Sequence, residues 1–482
     1  MRDISSPLSS VRFSGGTVLS ILLLLFALLS LVVFIAEGRL SNVDADAGVL
    51  ATFALMGCLG VFALVREISA VPFSLPMMHW FFYLVFFVIA PLNQYLCGEV
   101  PWGYGLDDAA YLSTNALLLG WGVLFLFGTC LRFAKGGGEH RTALDPVERL
   151  PVVTRSAAAI CAFASLACCV AFVTLVGIDG VFSRATAVWE SSAGSAAYLV
   201  QDKILRSVPV VALVIVGSRW RVRGDSVVPL LLCAVSLLLT DFPTALPRYG
   251  AAVVYGGLAL LFVPALTKRK GLFALLFLVA FVFVFPSINV FRSDGFSFAL
   301  FAEALVRSIA NLPQGFLGGD YDAYSMLARS VDYLGAVGCS WGFQFVGVLL
   351  FFIPRAIWPS KPVGTGYMIS QAQGQAFNNV SCPLPAEMLV NFGFVGMLAA
   401  AFLFGVLVRR IHVMANKQGG GVWSSLYPFA CFHLFFIMRG DLLSSWSYLV
   451  GFAVVYCLVL QIAGRAGLHD DSSDPSRRLA RQ

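Results

Sequence analysis

Residues 351–393, FFIPRAIWPSKPVGTGYMISQAQGQAFNNVSCPLPAEMLVNFG, form a polar stretch broken by Gly and Pro between very apolar segments. The stretch carries Arg355 and Lys361 beside aromatic residues, Trp358 among them, and then Glu387 where the next apolar run begins. A planar guanidinium holds phosphate oxygens through paired donors, and an ammonium adds a point charge. A carboxylate within reach of a hydroxyl can take its proton. In a membrane protein a polar loop of this kind, between apolar segments, is where chemistry would sit.

Other charged residues occupy related positions. Arg248 follows DFPTALP at a predicted helix start, Arg292 ends a helix in FRSDGF, and Arg439 ends another in MRGDLLSSW. Interface snorkelling accounts for any one such arginine. Four together with Arg355, at the boundaries of one membrane face, fit a lipid-linked diphosphate better. Candidate bases among the carboxylates on that face are Asp294, Asp320, Asp322, Asp332, Glu387 and Asp441. Glu387 and Asp441 both stand at predicted helix ends, and the pattern does not choose between them as a base. Glu387 equally suits stabilisation of its own helix start. Asp320 and Asp322 form a DxD, a metal-holding pattern in sugar-nucleotide enzymes. Sugar nucleotides are absent outside the cell, so Asp322 reads as a hydrogen-bond acceptor for a sugar or an arginine, and no metal is expected. His140, His412 and His469 fall on the inner side, and His79 near an inner helix start. His433 alone approaches the outer side, as a satisfied core histidine.

The elements that must position these residues are membrane helices. Apolar residues make up 59% of the 482 and charged residues 12%, about half the charged share of a soluble domain. Runs such as 17–36 and 271–291 are long enough to cross a hydrocarbon core of about 30 Å. The first reads as a retained helix rather than a signal peptide. The pattern predicts an all-α polytopic membrane protein with about twelve transmembrane helices, near 16–36, 48–65, 78–96, 111–131, 156–176, 204–217, 227–240, 249–266, 271–290, 388–408, 422–438 and 443–463. The apolar run 343–354 is too short to span and ends in Pro354, so it reads as re-entrant or interfacial. Residues 298–312 and 322–337 read as amphipathic helices lying on the bilayer or capping the bundle.

Most of the 32 Lys and Arg fall inside if the N-terminus is inside, including the RRIHVMANK segment at 409–417. The positive-inside rule then places 291–386 as one large extracytoplasmic loop, and 464–482 as a cytoplasmic basic tail, of a single integral membrane domain spanning 1–482. The net charge of +6 follows from this bias, and no nucleic-acid partner is implied. Of the eleven cysteines, Cys339 and Cys382 both fall in the large loop, where an oxidising compartment would allow them to pair.

Four segments in order, DYDAYSMLARSVDYLG (320–335), WGFQFVGVLLFFIPRAIWPSKPVGTG (341–366), NVSCPLPAEMLVNFGFVG (379–396) and MRGDLLSSWSY (438–448), resemble the bacterial O-antigen polymerase (Wzy) family. The PRxxWPxKP core is the strongest element, and before residue 320 the resemblance rests on hydropathy. The resemblance implies a GT-C-like bundle in the bacterial inner membrane, with both termini cytoplasmic. It implies a glycosyltransferase that moves a growing chain from undecaprenyl diphosphate onto the non-reducing end of a new undecaprenyl-diphosphate-linked oligosaccharide. No cofactor is needed, because the donor phosphodiester supplies the energy. A chain-length regulator and a flippase of the same pathway are the implied partners. In that setting Arg248, Arg292, Arg355, Lys361 and Arg439 stabilise the leaving diphosphate. Glu387, Asp322 and Asp441 are the candidate bases, and Trp358 or Trp341 packs on sugar rings or anchors the interface. The glycan remains open among O-antigen, capsule, exopolysaccharide and common antigen. An O-antigen ligase is the nearest alternative, but ligases of that kind rely on an outer-loop histidine that this chain lacks. A flippase or other transporter is the alternative of a different class, disfavoured because the predicted spans hold almost no ionisable groups.

Overall fold

The computed structural model describes residues 45–103, 105–131, 150, 153–182, 196–287, 297–375, 377–416 and 421–471. Regular structure among them is entirely helical. The helices are α1 (Ala47–Ala70), α2 (Leu75–Cys97), α3 (Asp108–Cys130), α4 (Arg155–Phe182), α5 (Ala196–Arg223), α6 (Val228–Thr240), α7 (Arg248–Phe262), α8 (Leu272–Val284), α9 (Phe298–Ala310), α10 (Ala323–Val337), α11 (Phe343–Leu349), α12 (Thr365–Ala372), α13 (Leu384–Ala415), α14 (Gly421–Arg439) and α15 (Leu442–Asp471). Every predicted helix from 48–65 onward has a counterpart here, while 16–36 lies outside the described residues. Among the described residues six helices are long and apolar enough to cross a membrane: α1, α2, α3, the 155–178 part of α4, α13, and the 442–464 part of α15. Helices α6, α7 and α8 are apolar but shorter.

The starts of these helices are written in the sequence. The Asp46 carboxylate accepts from the Val49 amide (2.9 Å), the Ser74 hydroxyl from Met77 (3.1 Å) and the Asp107 carboxylate from Ala110 (2.8 Å). Each satisfies one of the free amides that a helix N-terminus leaves. Pro76 and Pro385 sit in first turns, where the missing amide costs nothing.

Helix α2 is the axis of the bundle. In its most apolar 18-residue stretch 94% of residues are buried, against 22–39% for the other five long helices. Its sequence is apolar on every side, which suits a helix enclosed by protein. A π-helical turn at Val85–Ile89 interrupts it, and similar turns occur in α7 and α8. Around this axis, α1, α3, α13 and α14 pack directly, while α4, α5 and α6 form a second group joined to the rest through α15. Helices α3 and α13 cross at Gly128 and Gly405. A Cβ on either would strike backbone atoms of the other helix, so the crossing depends on small residues. Helix α13 bends at Gly393, whose φ of 68° lies in the left-handed region.

One segment is buried more fully than its pattern suggested. The pattern gave 322–337 one apolar face. In the structure every residue from Ala323 to Ser330 is buried, including Arg329 at 0% exposure. The first half of α10 therefore plugs the end of the bundle against α3, α12 and α13. Helix α9 does keep a single face: Phe298, Val306 and Ile309 are exposed and only Ala304 is buried. The run 343–354 forms only the short α11, followed by turns through Ser360.

Candidate functional site

Six of the charged residues singled out in the sequence, Arg248, Asp320, Asp322, Glu387, Arg439 and Asp441, converge at one end of the bundle. The α2–α3 connection, the start of α7, residues 319–322, and the starts of α12, α13 and α15 all meet there. Helix α14 delivers Arg439 to the same place from its last turn.

Three helix N-termini meet around two carboxyl groups. Glu387, in the first turn of α13, is 1% exposed. One of its oxygens accepts from the Thr365 hydroxyl at the start of α12 (2.6 Å) and the other from the Leu442 amide at the start of α15 (2.8 Å). Asp441 caps α15, accepting from Leu443 (2.9 Å), and its other oxygen accepts from the Gly366 amide of α12 (3.3 Å). Gly364 lacks a Cβ where the Asp441 carboxylate lies. Free amides and helix dipoles thus hold a buried and a half-buried carboxyl together, at N-termini where anions are favoured. Glu387 does steady a helix start, but that of α15 rather than only its own. Burial pushes the Asp441 carboxyl above the ordinary Asp range, against the backbone amides that lower it.

A second set adjoins this one. Asp322 is 1% exposed, and one of its oxygens accepts from the Trp102 indole (3.0 Å) and the Ser381 amide (3.1 Å). Its other oxygen lies 3.5 Å from the Arg439 guanidinium. Arg439 also donates to the carbonyls of Asp320 (2.9 Å) and Gly319 (3.1 Å). Arg248 pairs with the Asp320 carboxylate, and its guanidinium lies 4.5 Å from the centre of the Phe285 ring. Burial, then the charges of Glu387, Asp441 and Asp322, push the Cys382 thiol well up, so all three carboxyls act on one buried atom. Cys382 and Cys339 are both free thiols, contrary to the pairing the sequence allowed. Cys382 is wholly buried among these carboxyls, whereas Cys339 is half-buried beyond the end of α10.

The remaining sequence candidates sit differently. Arg355 donates to the carbonyls of Lys361 (2.6 Å) and Pro362 (3.0 Å). Lys361 donates to the carbonyls of Phe351 and Ile353. Both cations therefore brace their own loop, which leads through Gly364 to Asp441. Burial and the neighbouring Arg355 pull the Lys361 ammonium down. Trp358 donates to the Ser360 hydroxyl (3.0 Å) and meets Phe343 edge-on. Arg292 lies outside the described residues. His433 is buried, but neither ring nitrogen has a hydrogen-bond partner, so it is not the satisfied core histidine expected. Phe452 packs beside it from α15. His79 is fully buried in α2 and accepts from the Trp121 indole (3.1 Å).

Sequence reasoning missed Trp102, Thr365 and Arg329. Trp102 stands in the short PWG of the α2–α3 connection, on the same predicted face as the large loop, which was the available signal. Arg329 carried no mark separating it from a solvated helix face. Among the described residues no group of three or more His, Cys, Asp and Glu side chains has the arrangement of a metal site. The site can hold an anion against Arg439 and Arg248 and offer a carboxyl group beside it. Comparison with protein-family models, characterised proteins and solved structures finds no match for this chain.

Proposed function

We propose that this protein is an integral membrane glycosyltransferase that polymerises undecaprenyl-diphosphate-linked oligosaccharide repeats at the outer face of the bacterial inner membrane. The observation that carries the reading is the meeting of two arginines on one acidic segment at one end of an apolar bundle, with the half-buried Asp441 close by in sequence. Arg439 and Arg248 meet the segment Gly319–Asp322, and Asp441 follows Arg439 by two residues. In the reaction the acceptor hydroxyl oxygen bonds to the anomeric carbon of the donor as the bond to the lipid diphosphate breaks. The proton passes to Asp441, and the diphosphate leaves with the bonding electron pair. The arginines stabilise the charge that develops on it, and a direct displacement inverts the anomeric centre. Glu387 and Asp322, each 1% exposed, are positioning residues. Arg355 and Lys361 hold the loop that carries Gly364 and Thr365.

The bundle is then GT-C-like with about twelve spans. The six long helices, the shorter α6, α7 and α8, the amphiphilic α5, the helix α14 and the predicted helix at 16–36 supply them. Residues 291–386 form the periplasmic loop and both termini are cytoplasmic.

The test is a gene deletion in the source organism, complemented by wild type or by Asp441→Asn. Surface and lipid-linked glycans are resolved by length. Loss of the long-chain ladder, with single repeats still reaching the surface, supports the proposal, and Asp441→Asn should fail to restore the ladder. Long polymer retained on its lipid carrier would identify a ligase. Single lipid-linked units trapped inside would identify a flippase. An unchanged profile would refute the reading.

A further inference from the structure

Trp102 is held in an unusual way. Its φ is 67°, in the left-handed region that a bulky residue seldom adopts. Its indole donates to Asp322 (3.0 Å). Its ring stacks on Phe377, with centroids 4.4 Å apart and planes at 25°. Gly319 makes the room: a Cβ there would fall on the indole ring. Three separate segments, the α2–α3 connection, residues 319–322 and the strand of loop before α13, therefore fix one aromatic pair. Despite this anchoring, Trp102 is 41% exposed and Phe377 45% exposed. A packing role alone would bury such rings more fully, since each offers a large apolar surface to remove from water. The strained backbone instead keeps them partly open beside the site.

We infer that Trp102 and Phe377 form a carbohydrate-binding platform, on which a pyranose of the oligosaccharide substrate lies while polar groups around Asp322 and Arg439 meet its hydroxyls. The occupant follows from the chemistry of the place. A sugar presents an apolar C–H face to an aromatic ring and hydroxyls to its edge. The platform supplies rigid rings, a carboxylate that fixes the indole, and an arginine 3.5 Å from that carboxylate. A lipid chain would meet no use for the charged edge, and a free phosphate none for the rings. The inference rests on the glycosyl-transfer reading above and adds the site that holds sugar.

The experiment uses the full chain in nanodiscs, labelled with 5-fluorotryptophan. The Trp102 resonance is identified by its absence from Trp102→Phe. The probe is the lipid-free repeat oligosaccharide released by mild acid from the host's lipid-linked pool. Saturable movement of the Trp102 resonance is expected. Affinity should fall about tenfold in Trp102→Ala and in Phe377→Ala, the scale of one lost aromatic contact. Trp102→Phe keeps a ring and loses the bond to Asp322, so it should bind within about threefold of wild type. An unmoved Trp102 resonance at saturation overturns the inference. So does Trp102→Phe as weak as Trp102→Ala, which would assign the effect to the indole bond. Oligosaccharide binding with Asp441→Asn inactive but both alanine variants unimpaired would sink the platform and spare the polymerase. An unchanged glycan profile on gene deletion would sink the polymerase itself.

Discussion

Truncating Glu387 separates its architectural task from any chemical one. Glu387→Ala removes the acceptor for the Leu442 amide and the partner of the Thr365 hydroxyl, both buried. Loss of a cap costs about 0.5–2 kcal/mol, and a buried hydroxyl without a partner adds about 1–3 kcal/mol. The two together come to about 2–4 kcal/mol, allowing for partial relaxation. Glu387→Gln differs in kind. Its carbonyl oxygen can accept from Leu442 while its amide group donates to the Thr365 oxygen, so the shift should stay within about 1 kcal/mol. Full-length protein in detergent, heated and then resolved by size exclusion, gives an apparent melting midpoint. At about 2 °C per kcal/mol, the lower slope of large domains, the alanine variant should melt about 4–8 °C below wild type, and the glutamine variant within about 2 °C. An alanine variant that melts with wild type would refute the view that Glu387 ties α12 to α15. A glutamine variant as unstable as alanine would show that charge, not hydrogen-bond geometry, holds the junction.

Asp441 should leave a signature in pH. A carboxyl raised in the folded chain binds its proton more tightly there. Its contribution to stability is therefore complete below the unfolded value of about 3.9 and is lost as pH rises through the folded one. Asp441→Asn should flatten the decline of the melting midpoint upward from about pH 4, and parallel curves for the two proteins would count against the raised value. Gly405→Val drives side-chain carbons onto the α3 backbone and should cost about 3 kcal/mol or more, read as loss of monodisperse protein. Gly464→Ala, at a position with open space around it, is the control and should express as wild type. Arg355→Ala removes two carbonyl ties from the loop before Gly364. It should abolish long polymer at normal protein level, and normal-length polymer by gel with an equal immunoblot would remove the loop from the mechanism.

Helix positions were legible in the sequence because hydropathy and caps act over neighbouring residues. The caps Asp46, Ser74 and Asp107 place helix starts at Ala47, Leu75 and Asp108, one to three residues before the bounds that hydropathy alone gave. The cationic candidates were legible by type, since only a minority of the lysines and arginines fall on the outer side. Their pairings were not. Asp320 and Asp322 share a three-residue motif, yet one meets Arg248 and the other Arg439, 119 residues from Asp320. Nothing local encodes such partners. That Arg355 and Lys361 donate to carbonyls of their own loop was not legible either, because a loop cation and a carbonyl-bracing cation have the same spelling. The burial of Arg329 depends on where α10 docks, which its own periodicity does not state.

The enclosure of α2 has a consequence for how the molecule is made. A helix leaving the translocation machinery enters lipid first and meets its neighbours afterwards. In the finished bundle Leu75–Pro91 is buried throughout, so the lipid that first surrounds this segment must be entirely replaced by protein. Gln94 donates to carbonyls of Phe316 and Tyr321, more than 200 residues downstream, so its hydrogen bonds form only once that part of the chain has been made. Synthesis of the chain's second half therefore completes the solvation of its first, and α2 waits for the ribosome before it is at rest.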